Sequence, residues 1–187
     1  MMRYFRLTIV LLVFGFVTAT LIGPNPAAAA ASAAKINRDA KSALEKLYAQ
    51  SSSARTLGEK AKGILVFPSI TKGGFMVGGQ FGEGALVRGG KTAAYYNTIS
   101  ASYGLQIGVQ KYGYALFFMS ESAMNWIDKS DGWELGTGPS IVVVDEGAAK
   151  SMSTTTLQSD VYAFFFDQKG LMGGLGLQGT KITKIKK

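Results

Sequence analysis

No histidine and no cysteine occurs in the 187 residues. That removes the most common general base, the most common metal ligand and the strongest nucleophile. It also removes disulfides, thiolate chemistry and a lipid-modified lipoprotein cysteine. Twelve carboxylates remain, and only Asp128/Asp131 and Asp145/Glu146 stand close together. Both pairs lie in turn-like surroundings, where aspartate commonly fixes the backbone. A calcium loop needs alternating acidic ligands over about twelve residues, and Asp128–Glu134 does not supply them. Gly90-Lys91-Thr92 has the end of a phosphate loop, but Ala85 stands where that loop needs its first glycine. The residue types therefore point to a non-enzymatic protein with no cofactor and no metal.

The cations are the better lead. Twenty Lys and Arg against twelve Asp and Glu give a net charge of +8. Lys35, Arg38, Lys41 and Lys46 punctuate the first part of the chain after the leader; Lys60 and Lys62 precede the first strand-like run; Lys72 precedes Gly73-Gly74; Arg88 and Lys91 flank Gly89-Gly90. A cation close to an anionic membrane contributes roughly 1 kcal/mol, so four or five on one face suffice for salt-sensitive binding. The tyrosines, Tyr95, Tyr96, Tyr103, Tyr112, Tyr114 and Tyr162 among them, read mainly as strand residues, with a stacking role as the alternative.

The first 34 residues are a different material. Arg3 and Arg6 precede an apolar run from Leu7 to Gly23, then Pro24, Pro26 and a run of alanines. This is the layout of a cleaved export signal, with cleavage expected after Ala30 or Ala34. Removing 34 residues from 187 leaves a domain of residues 35–187. Losing Arg3 and Arg6 leaves 18 cations against 12 carboxylates, a charge of +6. The expected location is the periplasm or the outside of the cell. There, anionic lipid is a more available partner for a basic protein than nucleic acid.

The elements that position these cations read as follows. Ser32 to about Tyr48 has helical periodicity: Ile36, Ala40, Ala43, Leu44, Leu47 and Tyr48 share one face, and the four cations take the other arc. Ser51-Ser52-Ser53 caps a short helix to about Ala61, and Ser120 caps another from Glu121 to Asp128. Ile64–Phe67 reads as a strand buried on both faces. A turn is expected through Ser69–Lys72, then a glycine-dense strand Phe75–Phe81, and a hairpin that pairs Ala85–Arg88 with Lys91–Tyr96 across Gly89-Gly90. Ile99–Gln110 alternates without a break, so one half-buried strand is expected, with Ile99, Ala101, Tyr103, Leu105, Ile107 and Val109 facing the core. Tyr112–Met119, Trp133–Thr137, Ser140–Val144, Asp160–Phe166 and Leu171–Ile182 read as further strands, and Asp145–Thr156 as a surface loop. Ile64–Phe67, Ile141–Val144 and Phe164–Phe166 lack alternation and are expected at the centre of the sheet. The fold class is α+β: a strongly curved antiparallel sheet, as a closed barrel or tight sandwich, with an N-terminal amphipathic helix and one or two short helices.

Four stretches, taken in order, resemble the SYLF domain family. They are Ala61-Lys62-Gly63-Ile64-Leu65-Val66-Phe67 with Lys72-Gly73-Gly74-Phe75; Ser102-Tyr103-Gly104-Leu105-Gln106-Ile107-Gly108; Gly136-x-Gly138-Pro139; and Tyr162 with Lys169-Gly170-Leu171 through Gly179. The resemblance spans about Lys35 to Ile185. Asp167-Gln168 departs from it, since the family often has serine before the lysine. The resemblance implies lipid association: eukaryotic members bind phosphoinositides through a basic amphipathic N-terminal segment, and some bind actin. Carried over by position, that segment corresponds to Lys35, Arg38, Lys41 and Lys46, and the lysine before the glycine-rich strand to Lys72. An exported bacterial relative would meet anionic phospholipid instead. Two other readings stand beside it: a carrier or scaffold that holds an apolar ligand or a protein partner on the glycine-rich sheet, and an outer-membrane barrel. The unbroken apolar runs, the polar helices and the lysine-rich C-terminus speak against the barrel.

Overall fold

The computed structural model describes residues 26–75, 77–103, 108–129, 132–144, 159–170, 177 and 179–187. Helices α1 (Pro26–Gln50) and α2 (Ser52–Lys60) come first. Strands β1 (Gly63–Phe75), β2 (Val77–Arg88), β3 (Lys91–Tyr103) and β4 (Gly108–Phe118) follow. Helix α3 (Glu121–Ile127) precedes β5 (Trp133–Glu134), β6 (Ile141–Val144), β7 (Val161–Gly170) and β8 (Lys181–Ile185). The described strands form one sheet in the order β5-β8-β3-β2-β1-β4-β7-β6. Every pairing is antiparallel except β6 with β7. The expected α+β class with a curled sheet is found, as a half-barrel whose end strands β5 and β6 do not pair among the described residues.

The curl begins in β1. Its register slips between Val66 and Ile70 against β2, and between Phe67 and Ile70 against β4. Pro68 has no N–H to give a ladder and sits in this bulge, which bends the strand. The turn expected at Ser69–Lys72 is therefore absent: β1 continues to Phe75, which pairs with Val77. Opposite the bulge, a Cβ on Gly84 would lie 2.3 Å from the Val66 carbonyl oxygen. Only glycine lets the two strands approach so closely there.

Because β1 is central, its alternate residues feed two cores. Leu65, Phe67 and Ile70 point to the concave side, with Leu86, Tyr96, Tyr114, Leu116, Phe118, Trp133, Ile182 and the α3 residues Ala123, Met124 and Ile127. Ile64 and Val66 point to the convex side, with Ala85, Ala115, Phe117, Tyr162 and Phe164. There Ile36, Ala40, Ala43 and Leu47 of α1 and Ala54 and Leu57 of α2 cover them. The apolar face read on α1 is thus spent on the sheet. Helix α1 begins at Pro26 rather than Ser32, so Ala30 and Ala34 both lie within it.

Ser51 caps α2, accepting the Ala54 N–H at 3.1 Å, and Ser120 caps α3, accepting from Ala123 at 3.2 Å. Gly89 and Gly90 take φ of 55° and 75° in the hairpin between Arg88 and Lys91, the positive-φ pair that a two-residue turn demands. Two further expectations fail. Ile99–Gln110 is not one strand: β3 ends at Tyr103, β4 begins at Gly108, and both run beside different neighbours. Ile141–Val144 is not central but the last strand, with Val142 and Val143 exposed. Its apolar run reflects a parallel pairing with β7 rather than burial on both faces. The expected loop Asp145–Thr156 lies outside the described residues, as does most of the expected strand Leu171–Ile182, of which only the end belongs to β8.

Candidate functional site

The nine cations singled out from the sequence occupy three places. Lys35, Arg38, Lys41 and Lys46 are exposed on the outward arc of α1, because helical spacing turns them away from the buried Ile36–Leu47 seam. Lys35 pairs with Asp39, Arg38 lies 3.7 Å from Asp39 and Lys41 lies 3.9 Å from Glu45. Asp39 is one turn from Lys35 and next to Arg38, Glu45 is one turn from Lys41, and such exposed pairs bind weakly. Four cations against two carboxylates leave the arc positive.

Lys60, Lys62, Arg88 and Lys91 gather at one rim of the sheet. Lys60 ends α2, and the Lys62 N–H donates to the Phe118 carbonyl at 2.8 Å at the entry to β1. Ile64 partners Val87, so Lys62 and Arg88 end neighbouring strands. Arg88 and Lys91 are cross-strand partners beside the Gly89-Gly90 turn. Arg88 is engaged: its Nη2 donates to both carboxylate oxygens of Glu121, at 2.8 and 2.9 Å. Lys72 stands apart from both groups. It is half-buried, and its cross-strand partners Gln80 and Gln110 are buried on the concave side.

The concave side holds polar groups as well as apolar ones. The Tyr112 hydroxyl donates to Gln80 Oε1, Gln80 Nε2 donates to Thr180 at 3.1 Å, and the Tyr114 hydroxyl donates to Thr98 at 2.7 Å. Burial pushes the Tyr112 phenol up to about 12 and that of Tyr114 higher still, so both stay protonated donors. Tyr96 donates to Asp128 at 3.0 Å, and Lys184 reaches the same oxygen at 2.7 Å. The Lys184 ammonium holds the Asp128 carboxyl below its usual value, while burial and Asp128 push the Tyr96 phenol up. Each group thus keeps the charge state that its partner needs. None is poised for proton transfer near neutral pH.

No group of three or more Asp and Glu able to hold a metal occurs among the described residues. Two shallow clefts flank Trp126. One is lined by Lys129, Trp133, Thr137 and Lys181, the other by Ser122, Pro139 and Asp160. In the first, the Lys129 ammonium already caps the indole, 3.2 Å from the ring centre.

Sequence reasoning missed a further surface. On the convex side, away from α1 and α2, Phe81, Ile99 and Val109 are exposed at 51%, 49% and 62%. Lys111, Lys169 and Lys181, also exposed, lie in the same cross-strand rows. The alternation from Ile99 to Val109 did signal an apolar face, but not that Ile99 and Val109 point away from the core. The lysines meet only through strand register, which no local pattern displays.

A curled sheet with one face under two helices, basic groups on its exterior and no catalytic cluster among the described residues has the form of a binding domain. Residues 99–187 match the family model described as Ysc84, Las17-binding protein actin regulator. This is the SYLF domain family, the one that the motifs resemble, and it is a family of binding domains. The match begins in β3, so the Ala61–Gly78 motif and both N-terminal helices precede it. No curated protein matches the chain.

Proposed function

We propose that this chain is an exported SYLF-type domain that associates with an anionic membrane surface through basic side chains, without catalysing a reaction. The observation that carries the reading is the outward arc of α1. Lys35, Arg38, Lys41 and Lys46 face solvent there, on a helix whose apolar seam is already buried against the sheet. A helix so committed meets lipid headgroups by charge rather than by inserting. The leader Met1–Ala34 supports export to the periplasm or beyond. There the bilayer presents anionic phospholipid. The family's description favours a protein partner as the second reading, since it names binding to Las17.

The test is co-sedimentation of the protein recovered after export of the full chain with vesicles of graded phosphatidylglycerol content over a salt series. Binding is expected to rise with the anionic fraction and to fall steeply with salt. Equal binding to neutral and anionic vesicles, or none to either, defeats this reading.

A further inference from the structure

The half of the sheet that α1 and α2 leave uncovered is built inside out. On its concave side Gln80, Thr98 and Gln110 are buried. On its convex side Phe81, Ile99 and Val109 stand in solvent. Strand alternation makes this one choice rather than two: burying the polar set aims the apolar set outward. A sheet that keeps polar groups inside and apolar groups outside has the pattern of a surface facing lipid. Tyr112 bonds Gln80, Gln80 bonds Thr180 and Tyr114 bonds Thr98, while Gln110 Oε1 has no partner among the described residues.

Register sets the outward residues in two rows. In the first, Lys181 of β8 partners Ile99, Ile99 partners Phe81, Phe81 partners Thr71, Thr71 partners Lys111 and Lys111 partners Lys169. In the second, Ala101, Gly79, Gly73 and Val109 follow one another across β3, β2, β1 and β4. An apolar centre thus has lysine at both ends, along roughly 24 Å of sheet at the usual strand spacing. Lys111 and Lys169 are directly opposed, although like charges facing each other across a ladder repel. Neither makes an ion pair with a described residue. An anion bound between them removes that repulsion.

We propose that this convex, glycine-floored face is the part of the domain that enters the bilayer interface, with Phe81, Ile99 and Val109 among the acyl chains and Lys111, Lys169 and Lys181 at anionic headgroups. The inference rests on the membrane reading above and moves its centre from α1 to the sheet. A lipid surface fits this face better than a protein does. The three apolar side chains rise from Gly73, Gly79 and Ala101 as knobs with no socket between them, and a fluid conforms to knobs. A second copy of the same face would set lysines against lysines.

The chain's lack of cysteine makes a clean test available. Val109→Cys and, as comparison, Lys41→Cys on α1 are each introduced into the full chain, and the protein recovered after export is labelled with an environment-sensitive dye. On phosphatidylglycerol vesicles the label at 109 is expected to shift to the blue and to be quenched by doxyl-labelled lipid, while the label at 41 stays in water. Phe81→Ser with Ile99→Ser is expected to lower partitioning at least tenfold. Lys111→Gln with Lys169→Gln should also lower it about tenfold or more, since each cation near the surface is worth roughly fivefold. Circular dichroism and the thermal midpoint confirm that these exposed substitutions leave the fold intact.

Sedimentation with anionic vesicles in which only the label at 41 responds overturns this inference and leaves the membrane reading standing. Absence of sedimentation overturns both. A label at 109 that responds to polyglutamate but not to vesicles assigns the face to an acidic protein and also overturns the proposal.

Discussion

The convex face of the sheet has two regions with opposite treatment. In one, Ile64, Val66, Ala85, Ala115, Phe117 and Phe164 are buried beneath α1 and α2. In the other, further along β2 and β4 and on the neighbouring β3, Phe81, Val109 and Ile99 are exposed. The border is polar. Lys187 reaches Glu83 at 2.8 Å and Ser32 at 3.3 Å, and Glu83 partners Asn97 across the ladder. Apolar residues on one face of one sheet can thus be core or surface. What decides is whether a helix long enough to cover them lies in that place.

The sharpest way to break this contrast is to delete one aromatic from each region. Phe117 is fully buried, its ring edge-on to Phe164 at 5.1 Å. Phe117→Ala is expected to cost about 3–5 kcal/mol in urea unfolding. Phe81→Ser should stay within about 0.5 kcal/mol. Equal losses would show that Phe81 is packed and that the two regions do not differ.

A smaller effect separates a glycine pressed against the concave core from one on the exposed part of the convex face. A Cβ on Gly84 meets the Val66 oxygen at 2.3 Å, whereas one on Gly79 meets only the Ser100 oxygen at 3.5 Å. Gly84→Ala is expected to destabilise by about 1–3 kcal/mol, and Gly79→Ala to be near neutral. A thermal melt of each variant decides. A large loss at Gly79 would mean that the exposed convex region is as tightly built as the core at Gly84.

The smallest effect is at the sheet margin, where Asp128 joins Tyr96 and Lys184. The folded-state pKa of Asp128 is lowered by Lys184. Its contribution is therefore complete above the ordinary aspartate value of about 4 and is lost as pH falls through the lower folded-state value. The carboxylate and its lysine are half exposed, so solvent screening keeps the pair below about 1 kcal/mol. Asp128→Asn should lower the unfolding midpoint slightly at pH 7 and leave it unchanged near pH 2. An equal loss at both values would assign the effect to packing.

Local signals were legible where one segment settles its own structure. The α1 seam Ile36, Ala40, Ala43, Leu47, the caps at Ser51 and Ser120 and the turn at Gly89-Gly90 depend on spacing within a few residues, and all occur as expected. The strand Ile64–Phe67 was legible too, because a run without alternation serves two cores. Ser69–Lys72 was misread as a turn because the bulge at Pro68 exists only against both neighbouring strands. Asp167, where the chain departs from the motif it otherwise resembles, takes a φ of 53° near a register slip between β4 and β7. A short polar side chain tolerates that conformation.

Composition alone removed histidine and thiol chemistry and left a basic surface, since side-chain types need no fold to be absent or present. Periodicity alone placed the helices and most strands, since their repeats are local. Which side of an alternating strand faces water was decided only by the tertiary structure. Period two gives both faces equal standing until a helix covers one. The same holds for the lysines that frame Phe81 and Ile99: they come from β4, β7 and β8, and only the register of the assembled sheet brings them into line.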